Sequence, residues 1–173
     1  MKKVFIYVVV AFFATSFAVA QEFSKGTNVI NAGIGLGGHY NNVGSGDESP
    51  SLSVSYEHGI WDIAGPGVIS LGGYLGYKSY KYVNDIKWNY TIVGVRGAYH
   101  FTGLNVDNLD VYGGTMLSYN MLDINGYDGD DADSELGFSL YAGGRWYFTD
   151  TFGVFAELGY GVSYINLGAS FRF

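Results

Sequence analysis

Five charged side chains stand in segments that are otherwise apolar or built of small residues: Glu57, Lys78, Arg96, Arg145 and Glu157. A buried charge is costly unless an opposite charge compensates it, so these acids and bases predict a cluster of ion pairs. All except Lys78 lie about three to five residues from corresponding segment ends, and at roughly 3.3 Å per residue they can meet in one layer. Such a layer either fills an interior as a plug or acts as a selectivity filter or proton path, and we favour the plug.

The acidic segment from Asp123 to Glu135 contains six carboxylates and no base. Carboxylate oxygens are ligands that Ca²⁺ prefers, but the Asp-x-Asp-x-Asp-Gly spacing of an EF-hand loop is absent. We therefore expect a solvated surface loop and no dedicated metal site. The other acids of this segment are Asp128, Asp130, Asp131 and Asp133.

The glycines of Gly33-Ile-Gly-Leu-Gly-Gly38 match the dinucleotide-binding pattern G-x-G-x-x-G. That pattern binds a pyrophosphate only where a helix follows and offers its N-terminus to the phosphates. No helical periodicity follows here. The match is therefore interpreted as coincidental, and no cofactor is expected.

Only three histidines are available as general bases, His39, His58 and His100. A catalytic His needs a Ser or an acid beside it, and no such partner accompanies His39 in the sequence pattern. His39 is expected near one end of the fold. His58 and His100 are expected near the opposite end, as ordinary interface residues. Without a base and nucleophile constellation, the prediction is that the protein is not an enzyme.

The elements that must position these side chains are β-strands. Apolar residues alternate with small or polar ones at a period of two throughout the chain after Thr27, and no window shows the apolar spacing of a helix. The last strand is the clearest case, with Ile165, Leu167, Ala169, Phe171 and Phe173 on one face. Eight such segments are predicted, at about 30–36, 52–57, 69–78, 93–101, 109–121, 136–148, 152–160 and 164–173.

Connections of alternately longer and shorter length are predicted between these strands. Both prolines, Pro50 and Pro66, fall in connections, as is required of strands that pair on both edges. Pairs of glycines fall inside four strands, where they permit the strong coiling of a narrow closed barrel. The pattern predicts an all-β fold, an eight-stranded antiparallel up-and-down barrel.

Composition excludes several other classes. The chain has 173 residues, no Cys, 18% aromatic residues and a formal net charge of -7. Disulfide scaffolds and Cys-based metal sites are excluded. Nine Lys and Arg against sixteen Asp and Glu offer no basic surface for binding nucleic acid.

The N-terminus has the pattern of a signal peptide. It contains the basic residues Lys2 and Lys3, then an apolar stretch, and then the small residues of Ala18-Val-Ala20. This pattern predicts a signal peptide over residues 1–20, cleaved before Gln21, and one domain over 21–173.

The chemistry of the two strand faces predicts a membrane barrel. The apolar face carries no charge in any strand, whereas the other face consists of Gly, Ser, Tyr and isolated charges, which suits a cramped lumen better than a solvent surface. Aromatic residues are predicted to form two girdles at the strand ends. One contains Tyr77, Tyr80, Tyr82, Trp88, Tyr90, Tyr119, Tyr160 and Tyr164, and the other Trp61, Tyr99, Phe101, Trp146, Phe148, Phe152, Phe171 and Phe173.

Together with the signal peptide, these features resemble the small eight-stranded outer-membrane β-barrel proteins of the OmpA/OmpX type, without a periplasmic domain. The resemblance covers residues 27–173. Its most specific part is the C-terminal stretch Tyr164-Ile-Asn-Leu-Gly-Ala-Ser-Phe-Arg-Phe173, which is similar to the assembly signal of such barrels. Tyr164, Leu167, Phe171 and Phe173 would carry that signal, with the barrel-assembly machinery as the partner during biogenesis.

The resemblance implies a location in the outer membrane of a Gram-negative cell more than it implies an activity. We expect a monomer that contacts lipid and lipopolysaccharide and serves a structural or surface-interaction role: envelope integrity, adhesion or lipopolysaccharide contact through acidic loops. The alternative is a porin-like function, either a narrow pore or passage of small hydrophobic molecules as in the similar OmpW family. An apolar lining of the outer lumen would favour that alternative, whereas the sequence predicts a polar lining there.

Overall fold

The computed structural model describes residues 23–38, 47–81, 87–104, 106–125 and 134–173. The predicted signal peptide lies outside them, as does His39. Within the described ranges no helix is long and apolar enough to cross a membrane. The strands found there are β1 Asn28–Leu36, β2 Asp47–Glu48, β3 Ser51–Ile63, β4 Gly67–Lys81, β5 Lys87–Phe101, β6 Leu109–Asn125, β7 Glu135–Tyr147, β8 Phe152–Tyr160 and β9 Ile165–Arg172.

Eight of these strands form a closed antiparallel barrel, which confirms the predicted fold class. Strands β1 and β3 to β9 each pair with their neighbours along the chain, and β1 pairs with β9 to close the wall. Asn28 and Phe173 exchange backbone hydrogen bonds of 3.1 and 3.0 Å at the closing seam. The two-residue β2 pairs only with the end of β4. Closure leaves no long unpaired edge among the described strands.

The two ends of the barrel are defined by the chain. The base is the end that carries Asn28, Phe173 and the connections 64–66, 102–108 and 148–151, and the top is the opposite end. The predicted alternation of long and short connections is only partly correct. Strand β4 ends at Lys81 and β5 begins at Lys87, so the top connection between them spans only residues 82–86. It is shorter than the base connection 102–108.

Side chains alternate between the outside and the lumen as predicted. On β6, Leu117 is 68% exposed on the outside, whereas its neighbours Ser118 and Asn120 are 3% and 1% exposed inside. The same alternation holds on β1, β3, β8 and β9. The outer surface is therefore apolar and the lumen holds the charges, which is the inverse of a water-soluble barrel.

A β-bulge near the base of β3 changes which residues face outward. The register with β4 shifts between Gly59 and Trp61, so Ile60 is an extra residue. Simple alternation from Tyr56 would turn Trp61 inward, but after the bulge Trp61 is 55% exposed on the outside. The bulge thus adds Trp61 to the aromatic residues at the base.

The aromatic girdles are present, with two corrections at the top. Tyr77, Tyr119, Tyr160 and Tyr164 are exposed there, but Tyr80 is buried and Tyr90 packs against a buried cluster inside the lumen. Both residues stand at positions whose side chains point into the lumen. The alternation along the strand sets this side-chain direction, however close the residue lies to the end of the barrel. Tyr82 lies outside the described residues. At the base, the exposed aromatic residues are Trp61, Tyr99, Phe101, Trp146, Phe148, Phe171 and Phe173.

Candidate functional site

The centre of the lumen is an ion pair between Glu57 on β3 and Arg145 on β7. Arg145 Nη2 donates to Glu57 Oε2 at 2.8 Å, and both residues are fully buried. Arg96 on β5 approaches from the other side, with its Nε 2.9 Å from Glu57 Oε1. That oxygen accepts no hydrogen bond, because the Nε–H donates instead to Tyr141 Oη at 3.1 Å. Glu57 is thus held by two guanidinium groups.

A second acid, Glu157 on β8, extends the cluster toward the top. Its Oε1 accepts hydrogen bonds from Arg96 Nη2 at 2.7 Å and from the hydroxyl of Tyr112 at 2.8 Å. The sequence analysis expected Glu57, Arg96, Arg145 and Glu157 in one layer, and the structure brings these four side chains together. Opposite charges in contact compensate the desolvation that each would otherwise suffer.

A third acid, Asp110 on β6, was not identified from the sequence. Its Oδ2 accepts a hydrogen bond of 2.6 Å from Arg145 Nη1. Arg145 Nε donates to Asn31 Oδ1 at 3.2 Å, so all three nitrogens of this guanidinium have partners. We call Asn31, Ser70, His100, Tyr112 and Tyr141, together with the five charged residues Glu57, Arg96, Asp110, Arg145 and Glu157, the charge layer.

His100 belongs to the charge layer and not to the rim, which corrects the expectation from the sequence. Its Nδ1 is 2.8 Å from Asp110 Oδ1, and its Nε2 is 2.9 Å from Ser70 Oγ. With the proton on Nδ1, the ring donates to Asp110 and accepts from the Ser70 hydroxyl. This is the order of acid, imidazole and hydroxyl that activates a serine nucleophile. His58 does lie at the base, where its Nδ1 is 2.9 Å from Asn28 Oδ1.

The Ser70 hydroxyl nevertheless has no route to a substrate in this structure. Ser70 and His100 are both fully buried, and the ring of Phe23 stacks on the imidazole. Nucleophilic catalysis requires a space next to the nucleophile for the reacting atom. The geometry therefore supports a structural role for Ser70, His100 and Asp110, in which hydrogen bonds between them satisfy their buried polar atoms.

Tyrosine rings stack on the two guanidinium groups of the charge layer. Arg96 Cζ lies 4.1 Å from the ring centre of Tyr141, and Arg145 Cζ lies at the same distance from Tyr112. Gly143 makes room for this packing, since a Cβ atom there would lie 2.8 Å from Glu157 Cγ and 3.1 Å from Tyr112 Cζ. Rings and charges together fill the cross-section, as expected for an eight-stranded barrel.

Lys78, the fifth residue of the predicted cluster, lies near the top of the barrel. Gly72 of β4 pairs with Glu57, and Lys78 is six residues further along the same strand, about 20 Å at 3.3 Å per residue. Its ammonium group donates to the carbonyl oxygens of Gly37 and Val162 at 2.7 and 3.3 Å. Its inward direction was predicted correctly, but its height places it apart from Glu57.

The top half of the lumen contains the predicted polar residues Lys78, Ser118 and Asn120, which are buried there, together with an apolar cluster. Tyr74, Ile92, Met116 and Val162 form a buried hydrophobic cluster there. Between this cluster and the charge layer lies a cavity of about 40 Å³. Two polar atoms of its lining, Ser139 Oγ and Asn166 Oδ1, have no hydrogen-bond partner, although both residues are only 6% exposed. The cavity has the size and polarity for one or two water molecules.

The remaining motifs are placed as follows. Gly33 and Gly35 of the dinucleotide-like pattern lie on β1, facing the lumen, where added Cβ atoms would meet lumen side chains. Of the acidic segment, Asp123 and Glu135 are exposed strand residues, while the other four acids lie outside the described residues. Among the residues that are described, no group of His, Cys, Asp and Glu could hold a metal ion.

The predicted assembly residues lie on the closing seam of the barrel. Leu167, Phe171 and Phe173 project outward and are 50%, 46% and 67% exposed, and Tyr164 is exposed just before β9 begins. These side chains form an apolar stripe along the last strand. Their role as an assembly signal stays a prediction.

Comparison with solved structures shows a shared fold with outer-membrane barrels. The N-terminal β-barrel domain of OprF from Pseudomonas aeruginosa matches with a TM-score of 0.57 and 20% identity, covering 87% of this chain and 100% of that domain. Ail, the attachment invasion locus protein of Yersinia pestis, matches with a TM-score of 0.52 and 12% identity in complex with the heparin analogue sucrose octasulfate. This match covers 86% of this chain and 99% of Ail.

A second Ail structure, in a phospholipid bilayer nanodisc, matches with a TM-score of 0.51 and 14% identity, covering 86% of this chain and 100% of Ail. No family model and no curated protein matches the sequence. The resemblance to small eight-stranded outer-membrane barrels is therefore confirmed in the fold, at identities that carry no activity from one protein to another.

Proposed function

We propose that the protein is an integral outer-membrane barrel whose outward side chains contact lipid. The apolar outer surface supports this proposal. Leu117, Leu158 and Val95 are each at least 65% exposed. On the described strands, no charged side chain points outward between the two aromatic girdles. In water such a surface would associate, whereas hydrocarbon accommodates it. A closed barrel also satisfies the backbone hydrogen bonds that lipid cannot provide.

In this proposal the base faces the periplasm and the top faces outward. An even number of strands puts both chain ends at one end, and outer-membrane barrels keep their short turns and termini in the periplasm. The acids near the top, in β2 and in the connection 126–134, would then contact lipopolysaccharide, host or neighbouring proteins. Protease treatment of intact cells tests this: cleavage confined to the base turns would show the opposite orientation.

The role we assign is structural or surface-interacting, and a single observation carries it: the charge layer fills the lumen. Glu57, His100 and Arg145 are fully buried, and tyrosine rings stack on the guanidinium groups of Arg96 and Arg145. A solute could pass only if several charge-assisted hydrogen bonds broke together. The protein would therefore act through its lipid-facing and loop surfaces and not as a pore; we also propose that it is a monomer and not an enzyme.

Passage of small hydrophobic molecules is the second candidate, and the apolar cluster of the top half favours it. Tyr74, Ile92, Met116 and Val162 line part of the top lumen, in addition to the predicted polar residues Ser118 and Asn120. However, the adjoining cavity of about 40 Å³ is far smaller than the roughly 300 Å³ at which ligand pockets begin. Any such passage would require the cluster to separate, so the first candidate is preferred.

Planar-bilayer recording tests whether the charge layer closes the lumen to ions. We expect no steady conductance from the refolded protein, because the Arg96 and Arg145 ion pairs fill the cross-section. Arg96→Ala removes one side of this layer and should produce small openings. Steady conductance in the original protein that disappears in Arg96→Ala would contradict closure and support a filter. A deletion strain profiled for envelope stress, adhesion and uptake then tests the cellular role.

A further inference from the structure

The chain preceding β1 folds back into the base of the barrel. Phe23 is 2% exposed, and its ring lies parallel to the His100 imidazole with a centre-to-centre distance of 3.6 Å and an angle of 5°. The same ring packs with Val29 and Val68 in a buried cluster. We call residues 23–27 the N-terminal turn. Nothing in the strand pattern demands this contact, because the N-terminal turn precedes the first strand.

Hydrogen bonds hold the N-terminal turn against β3. Thr27 N donates to Ser24 O at 3.1 Å, and Ser24 N donates to Thr27 Oγ1 at 3.2 Å. Gly26 N donates to Gly59 O, and Gly59 N donates to Thr27 O, both at 2.9 Å. The N-terminal turn therefore joins the barrel wall through its backbone and directs the Phe23 ring inward.

Gly59 is required for this arrangement. It points into the lumen directly beside the N-terminal turn, where a Cβ atom would collide with Ser24 O and lie 3.1 Å from Phe23 Cε1. The base of the lumen is thus shaped to admit a flat ring, with Gly59 and Val68 beside it and the imidazole against its face. This is the geometry of an aromatic-binding site with an occupant from the same chain.

The ring lies between the charge layer and the base. Behind it, His100 and Ser70 are fully buried, and His100 contacts Asp110, which in turn contacts Arg145. Ion pairs weaken when water enters, because water raises the local dielectric constant. Covering the imidazole with an apolar ring therefore keeps this end of the charge layer dry.

We propose that the base of the lumen is a binding site for one flat aromatic ring, that Phe23 fills it in cis, and that this contact closes the charge layer to water from the base. The proposal goes beyond the proposed function, since it concerns the base side of the lumen and stands whichever surface role the loops have. It assigns the N-terminal turn a gating position that the barrel strands alone do not supply.

The absence of Cys makes thiol labelling a direct test. Val68 is 5% exposed and packs against the Phe23 ring. In the full chain folded in outer-membrane vesicles or detergent, Val68→Cys should react slowly with a water-soluble maleimide. Adding Phe23→Ala should raise the rate about tenfold or more, equivalent to at least about 1.4 kcal/mol of lost protection. Equal rates in the two backgrounds would overturn the proposal.

Two matched cysteine variants distinguish opening of the base from unfolding. Ser118→Cys lies in the lumen at the top, 3% exposed, and its thiol should stay protected with or without Phe23. Thr151→Cys lies in an exposed base turn and should react quickly in both backgrounds. If Phe23→Ala also exposes the thiol of Ser118→Cys, the barrel has lost its fold. The N-terminal turn is then a determinant of folding and not a gate, which contradicts the proposal.

The aromatic requirement is tested by conservative variants at the same position. Phe23→Tyr keeps a flat ring and should preserve the protection of the thiol in Val68→Cys. Phe23→Leu keeps the apolar character but cannot lie flat against the imidazole, so labelling should accelerate several-fold, as expected for loss of an aromatic stacking pair. If Leu protects this thiol as well as Phe does, the site is simply apolar and the aromatic assignment is wrong.

Discussion

The base half and the top half of the lumen are enclosed by the same strands but are filled in different ways. The base half contains the charge layer, in which Glu57, Arg145 and His100 are each fully buried and bonded to one another or to Asp110. The top half contains an apolar cluster, a cavity of about 40 Å³ and the Lys78 ammonium group on two backbone carbonyls.

The difference shows two solutions to the problem of filling a narrow barrel. In the base half, opposite charges contact one another, so the charge layer is a connected network in which each residue depends on several others. The apolar cluster of the top half has no such dependence, and this half tolerates a small void and buried polar atoms without a hydrogen-bond partner, among them Ser139 Oγ and Asn166 Oδ1. We therefore expect substitutions in the base half to be costly and specific, and those in the top half to be milder.

Removing Arg145 should have the largest effect. Arg145→Ala leaves Glu57 and Asp110 buried without their guanidinium partner, which should cost about 3–5 kcal/mol of unfolding free energy. Lys78→Ala at the top removes a donor to two carbonyls and should cost only about 1–3 kcal/mol. Urea unfolding of both variants in the same detergent measures the comparison. Equal losses would contradict the distinction between the halves.

Met116→Ala should rank next. Met116 is 4% exposed in the apolar cluster, so its truncation should cost about 2–3 kcal/mol and enlarge the neighbouring cavity. Met116→Leu nearly conserves volume and should cost less than about 1.5 kcal/mol. Chemical unfolding of the pair tests whether packing alone stabilises the top half. A large loss with Leu would indicate that the sulfur has a specific partner.

Substitution of one serine in each half compares the effect of losing a single hydroxyl group. Ser70 Oγ is hydrogen bonded to His100 at 2.9 Å, whereas Ser139 Oγ is buried without a partner. Ser70→Ala should cost about 1 kcal/mol, while Ser139→Ala should be neutral or slightly stabilising. Parallel denaturation curves are sufficient. If Ser139→Ala were the more destabilising variant, an ordered water in the cavity would be the missing partner.

The smallest effect is an expected null result at Ser70. A fluorophosphonate probe should leave the folded protein unlabelled, because Ser70 is fully buried and Phe23 covers its histidine. A catalytic serine hydrolase of matched concentration is the positive control. Labelling that disappears in Ser70→Ala would show that Ser70, His100 and Asp110 form a reactive triad, and the base half would then be an active site.

The sequence could predict the direction of each side chain in the site but not its contact partners. The inward direction of Glu57, Arg96, Arg145, Glu157 and Lys78 was predicted correctly, because the alternation of side chains across a strand has a fixed period. Their partners depend on the stagger between strands, which a single sequence does not express. Lys78 was therefore grouped with Glu57, although the register places it near the top.

His100 and Asp110 illustrate the same limit at the base. Both lie close to strand ends, so the sequence suggested a rim position for His100 and gave no reason to single out Asp110. The strands tilt in a closed barrel, and the register sets Asp110 opposite Arg145 on the neighbouring strand. A rule that collects every inward polar residue, at strand ends as well as in their middles, would have found both.

The amino-acid sequence was enough to predict an eight-stranded barrel with an apolar outside, a polar inside and aromatic residues at its ends. These properties follow from local periodicity, because backbone geometry alone sends successive side chains to opposite faces. The three-dimensional contacts were needed to show which inward groups meet, where the apolar cluster of the top half lies, and that Phe23 covers His100. Those properties arise from interstrand register and from a turn outside the strands, both of which depend on contacts between residues distant in the chain, such as Phe23 with His100.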